Sequence, residues 1–292
     1  MKAAARFILL FVIFFIAFVL PSIILPIPLT QRSSATASLM LFLLLLVDLL
    51  SITYLIRRLS LWGIKLFLAV ALVFFGLQTF MTQLETWYFR KAMPAINDEV
   101  LMKLFVNPLI TAIIFVPVAI WILGKWRPTG NHANQRQPIL KSKWKALIAL
   151  SVTYVVIYFF FGHYVAWQFE AVRMFYSGSP KLHGFLEQFQ ITLHQHDLIL
   201  PFQVARGLLW VLVGLPIALY LKGGKMEKIL ACIFFYSVLP SIQLIIDNPL
   251  MPTEVRMAHL LEVATSNGLF GLLIGLIFTR RNDLSGNDHT YA

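Results

Sequence analysis

The feature that most constrains this chain is the recurrence of apolar runs of 18 or more residues, beginning with "FILLFVIFFIAFVLPSIILPI" at 7–27. A run of that length crosses the ~30 Å hydrocarbon core as an α-helix. Inside hydrocarbon every backbone N–H and C=O must be satisfied within the protein, so only helices and closed barrels span it. A barrel would need short strands of alternating hydropathy, and these runs do not alternate. The reading is an all-α polytopic bundle of about eight spans, at 7–27, 38–56, 61–83, 101–123, 146–166, 204–221, 229–246 and 257–279. With a mean hydropathy of +0.78, little sequence is left between them for a soluble unit. Residues 1–292 therefore read as a single integral membrane domain. The first run follows Lys2 and Arg6 as a signal peptide would. It is too long for such a peptide's apolar core and lacks a small-residue cleavage site, so it reads as a retained span.

The net charge of +11 is sorted by connection. Sixteen of the 24 Lys and Arg residues fall within 2–6, 57–65, 125–145, 222–228 and 280–281, which are alternate connections. Basic residues are retained on the cytoplasmic side during insertion, so this set marks the inside and places both termini there. The acids concentrate on the other set. Trp62, Trp126 and Trp144 fall near the inner boundary, and Trp87 and Trp167 near the outer one, as interfacial belts require. The basic balance is thus a topology signal and not a nucleic-acid footprint, and the expected partner is the lipid bilayer. Compactness and the lack of eukaryotic sorting signals suggest a bacterial-type plasma membrane. The one cysteine, Cys232, excludes an intramolecular disulfide.

Two connections are long. "GKWRPTGNHANQRQPILKSKWK" (124–145) reads as a flexible inner loop able to touch anionic headgroups. In "GFLEQFQITL", Phe185, Leu186, Phe189 and Leu193 recur at helical spacing, which predicts an outer interfacial helix near 184–194.

Candidate chemistry gathers at the outer ends of four spans. In the eighth, Arg256, His259, Glu262, Ser266 and Asn267 form one polar stripe about 16 Å long, given the 1.5 Å rise per residue. Gly268, Gly271 and Gly275 beyond it would let a neighbouring helix approach closely. In the fifth, His163, Trp167 and Glu170 share a helical face and Arg173 follows. The third leaves through Gln78, Glu85 and Arg90, and the sixth enters through Gln203 and Arg206. Polar groups at such depth are costly facing lipid and normally face protein or a water-filled cavity. The expectation is an outward-facing polar site between spans three, five, six and eight.

There Arg90, Arg173, Arg206, Arg256 and Asn267 would hold an anionic small molecule or lipid headgroup, because the guanidinium fork binds such groups in pairs of hydrogen bonds. Glu170, His259 and Glu262 are the candidate acid–base residues. Should a metal bind, His163, Glu170, His259 and Glu262 are its candidate ligands, although no HExxH spacing occurs. Asp48 stands apart, ~14 Å of helix from Arg57 and hence near mid-membrane, where an acid suggests proton or cation coupling. The plainer alternative for Asp48 is burial against a Ser, Thr or Gln of another span. Three functions follow: binding or processing an anionic or lipid-headgroup ligand, ion-coupled secondary transport, and a non-catalytic membrane scaffold.

Overall fold

A computed structural model describes residues 3–27, 35–128, 143–247 and 250–279. Lys2, Arg32, Pro249, Arg280, Arg281 and most of the 124–145 connection lie outside the described residues. Among those residues the secondary structure is helical throughout, apart from one two-residue bridge. Eight segments are long and apolar enough to cross a membrane. The chain is an all-α polytopic bundle, as the apolar runs predicted, and its composition is that of a multi-pass membrane protein.

The helices are α1 (Ala3–Ile24), α2 (Ala35–Arg58), α3 (Gly63–Phe75), α4 (Met81–Phe89), α5 (Asp98–Ile122), α6 (Trp144–Tyr164), α7 (Glu170–Ser177), α8 (Phe185–Gln195), α9 (Ile199–Tyr220), α10 (Lys225–Ile242) and α11 (Thr253–Phe278). α5 starts where the Asn97 side chain accepts a hydrogen bond from the Val100 N–H at 2.9 Å. Asp98 and Glu99 then occupy the first turn, where the exposed N–H groups favour acids. α3 and α4 form one span joined by a π-helical turn, Gly76–Phe80. A π turn leaves backbone carbonyls without their usual i+4 donors and re-aims the side chains around it. Gly76 is required there, because a β-carbon would lie 2.3 Å from Val213 Cγ1 on α9.

The glycines of the eighth span act as expected. At Gly271 a β-carbon would stand 2.5 Å from the Cys232 carbonyl, so α10 and α11 touch backbone to backbone. Between α6, α9 and α10 a buried chain of polar contacts replaces lost water. Trp210 Nε1 donates to Tyr154 Oη at 2.9 Å, and Tyr236 Oη donates to the Trp210 carbonyl at 2.5 Å.

At the Lys/Arg-rich end two corners are fastened together. Ser60 N–H donates to Tyr220 O and Lys222 N–H to Arg58 O, each at 2.8 Å, around a bridge between Leu59 and Leu221. Arg58 pairs with Glu227 beside it. Above these contacts lies a packed apolar layer that includes Leu49, Ile52, Val73, Phe235 and Tyr236, all fully or nearly fully buried.

Candidate functional site

Above that layer the helices splay around a cavity of about 1620 Å³. That exceeds the ~300–1,000 Å³ of ordinary small-molecule pockets. Its rim at the end opposite the basic connections carries the exposed Lys91, Lys181 and Asp197, and its inner end reaches Asp48 and Phe74. α8 lies across one side. Phe185 and Phe189 turn into the cavity and pack on Tyr164 and Phe159, with ring centroids 5.7 and 4.8 Å apart, while Leu186 stays exposed. The amphipathic helix read from the sequence is therefore present, with part of its apolar face directed inward.

Asp48 is 1% exposed. Gln78 Nε2, presented by the π turn, donates to its Oδ2 at 2.7 Å. Oδ1 has no hydrogen-bond partner among the described residues. Gln243 completes this knot from the far end of α10. Its Nε2 lies 2.8 Å from Gln78 O, 3.1 Å from Thr82 Oγ1 and 3.3 Å from Pro240 O. One amide thus serves a carbonyl in the π turn of one span and a carbonyl in the last turn of another. The polar neighbour weighed for Asp48 in the sequence is Gln78.

A second polar group lies on α11. His259 Nδ1 stands 3.2 Å from Glu262 Oε2, and its Nε2 stands 3.1 Å from Tyr176 Oη on α7. All three line the cavity. Carboxylate, imidazole and phenol in series can orient the imidazole and pass a proton between its two nitrogens and the wall. Burial, then the neighbouring Glu85 and Glu262, hold the Tyr176 phenol above its ordinary range, so it remains a donor. Tyr176 was not singled out from the sequence, because only the turn between α6 and α7 brings it back onto α11.

The arginines are placed differently from expectation. Arg173 is buried and does not line the cavity. Its Nε donates to Pro180 O at 2.6 Å, and its Nη1 to Trp167 O at 2.7 Å and Gln168 O at 3.0 Å. Arg256 lines the cavity but is drawn to the 244–253 connection, with Nη2 2.7 Å from Asp247 Oδ1 and Nη1 3.1 Å from Leu244 O. Arg206 is buried, with Nη2 2.8 Å from Glu85 Oε2 and Nη1 2.9 Å from Gln203 Oε1. It lines a small void behind the cavity, together with Asn267 and Glu262. Arg90 pairs with Asp98 at the exposed end of its span. Each of these four guanidinium groups has acceptors within the protein itself, and among the described residues they do not gather around one point.

Glu170 is also displaced. The helix expected to run on from His163 stops at Tyr164, a 3₁₀ turn covers Ala166–Gln168, and Glu170 opens α7 on the exposed surface. Gln168 Nε2 takes the His163 carbonyl at 2.8 Å, and Arg173 takes two more carbonyls of the same turn. These side chains make the break tolerable. The set His163, Glu170, His259 and Glu262 is accordingly split. His163, His259 and Glu262 line the cavity, Glu170 does not, and among the described residues no three His, Cys, Asp or Glu side chains come together as metal ligands.

At the rim, burial and the nearby Lys91 hold the His196 ring below its ordinary range, and it packs edge-on against Phe89 with centroids 5.2 Å apart. The hydrogen bond from His183 holds the Glu187 carboxyl below its own. No protein-family model, no curated protein and no solved structure matches this chain.

Proposed function

We propose that the protein is a membrane receptor or carrier for an amphiphilic, lipid-like ligand, taken into the bundle from the end opposite its basic connections. With the positive-inside assignment, that end is the outer face of a bacterial-type plasma membrane. The observation that supports this reading is the cavity itself, about 1620 Å³ and bounded by side chains of both kinds. Phe18, Leu41 and Phe74 offer apolar wall, while Asp48, His163 and Glu262 offer polar points along it. A site that is mostly apolar with a few placed polar groups suits a ligand with a hydrocarbon portion and a headgroup. Because the arginines are occupied by protein acceptors, the headgroup's contacts fall to the carboxyl, imidazole and rim lysine side chains instead.

Gly162 supplies the test. It lines the cavity, and a β-carbon there meets nothing within 4 Å. Gly162 lies in the last turn of α6, and Gly162→Leu should extend a side chain into the cavity without strain. In thermal-unfolding titrations with dodecyl maltoside, dodecyl phosphocholine, dodecylammonium and dodecyl sulfate, at least one should raise the melting temperature of the natural protein saturably. The same compound should leave Gly162→Leu unmoved. If none acts on the natural protein, or if Gly162→Leu responds equally, the cavity is not a ligand site.

A further inference from the structure

We infer that the inner end of the cavity is a cation site, at which Asp48 exchanges a proton for the ammonium group of a bound amphiphile. This rests on the cavity reading above and narrows its ligand to the nitrogen-cation class. The observation is charge balance at depth. Three carboxyl groups line the cavity along the membrane spans: Asp48, Glu85 and Glu262. Glu85 faces Arg206, and Glu262 shares a hydrogen with His259. Among the described residues, Asp48 has only the neutral Gln78 amide on Oδ2 and nothing on Oδ1.

Among the described residues, the segments packed on α2 bring no cation to Asp48. α1 carries Arg6 and α3 carries Lys65, both at the basic end, with Arg57 and Arg58 of α2 itself. On α5, Lys103 bonds Glu99 and Pro26 O at the opposite end, where Asp98 pairs with Arg90. On α10, Lys225 and Lys228 stand in the first turn, and Glu227 serves Arg58 and Tyr54. Cys232 packs on Gly271, and Tyr236 donates to Trp210.

A carboxylate without a counter-charge in such surroundings is costly, and its cheaper form is protonated. A ligand ammonium supplies the missing counter-charge. The exchange balances: the O–H bond of the Asp48 carboxyl breaks, its proton leaves through the cavity to water, and the carboxylate left behind pairs with the ammonium. No electrons are transferred. Gln78 holds Oδ2 in both states, which leaves Oδ1 as the exchanging atom.

The test uses the full chain in phosphatidylcholine nanodiscs at neutral pH and low buffer strength, with empty discs as reference. Dodecylammonium, added below its micelle-forming concentration, should bind saturably and release about one proton per molecule bound. Asp48→Asn keeps the shape and the Gln78 contact. It should bind roughly 10–100-fold more weakly and release none, as expected for loss of a charge-assisted hydrogen bond. Asp48→Glu should restore the release, which guards against a folding defect in the amide variant. Dodecyl sulfate should produce neither signal. Binding of dodecylammonium without proton release, equal behaviour of Asp48→Asn, or equal binding of dodecyl sulfate overturns the exchange. If another amphiphile still protects the protein in a manner blocked by Gly162→Leu, the cavity reading survives that result. If no amphiphile engages at all, both fall.

Discussion

Neutralising Glu85 should destabilise the bundle by leaving Arg206 a buried cation without its counter-charge. Arg206 is 2% exposed, its Nη2 lies 2.8 Å from Glu85 Oε2, and its remaining acceptors, Gln203 Oε1 and Met81 O, are neutral. Breaking a buried pair by removing one partner costs about 3–5 kcal/mol. Here the Glu85 side chain is 35% exposed and Gln can still accept a hydrogen bond, so Glu85→Gln should cost about 2–3 kcal/mol. Arg206→Met should cost less, about 1–2 kcal/mol, because the abandoned carboxylate can reach water. Joining Arg206→Met with Glu85→Gln should cost about 2 kcal/mol less than the two single losses added together, which is the coupling energy of the pair. The measurement is reversible unfolding of all four proteins in mixed micelles of rising dodecyl sulfate fraction, followed by circular dichroism. A cost for Glu85→Gln below about 0.5 kcal/mol, with no coupling, would refute the argument that this guanidinium is committed to the fold. The arginine would then be free for a ligand.

Arg173→Gln gives up three charge-assisted bonds to backbone carbonyls and should destabilise by about 2–4 kcal/mol in the same assay, while any amphiphile response, rescaled to folded protein, is retained. A stable Arg173→Gln protein that has lost the response would make Arg173 a ligand residue after all. At the rim, the His196 ring is held below its ordinary value of 6.5, first by burial and then by Lys91, so protonation favours the unfolded chain. Its contribution is intact above that value and is lost as pH falls toward the lower folded one. The melting temperature should therefore drop between about pH 7.5 and about pH 5.5, and drop less in His196→Phe. Equal drops would assign the effect to other groups.

Span number and helical class were legible because hydrocarbon imposes one rule on every segment, and runs such as 7–27 and 38–56 obey it without exception. The close packing of Gly271 and Gly275 was legible for a similar reason, since small residues at helical spacing on α11 have one mechanical use. The roles of the arginines were not legible. A guanidinium near a helix end is equally suited to an anion or to backbone carbonyls, and which one it finds depends on turns. At Arg173 those carbonyls exist only because the chain breaks after Tyr164, and the lone Gly162 in an apolar run is too weak a signal to announce it. Asp48 was conspicuous as an acid in an apolar run, yet its partner was hidden by the π turn, which shifts Gln78 away from the face an uninterrupted helix would give it. Gln243, beside Pro240 in an otherwise apolar stretch, was the overlooked signal of that knot.

The strap between the α2–α3 corner and the α9–α10 corner has a consequence for traffic. Leu59 and Leu221 are held together by two backbone hydrogen bonds, with the Arg58–Glu227 pair alongside and Lys125 Nζ reaching the Leu59 carbonyl at 3.3 Å. A guest that comes and goes by the door it entered leaves this fastening alone. On the carrier reading, one that crosses to the other compartment must first unbutton it, so weakening the strap would speed passage across the bilayer while leaving same-side loading as it was.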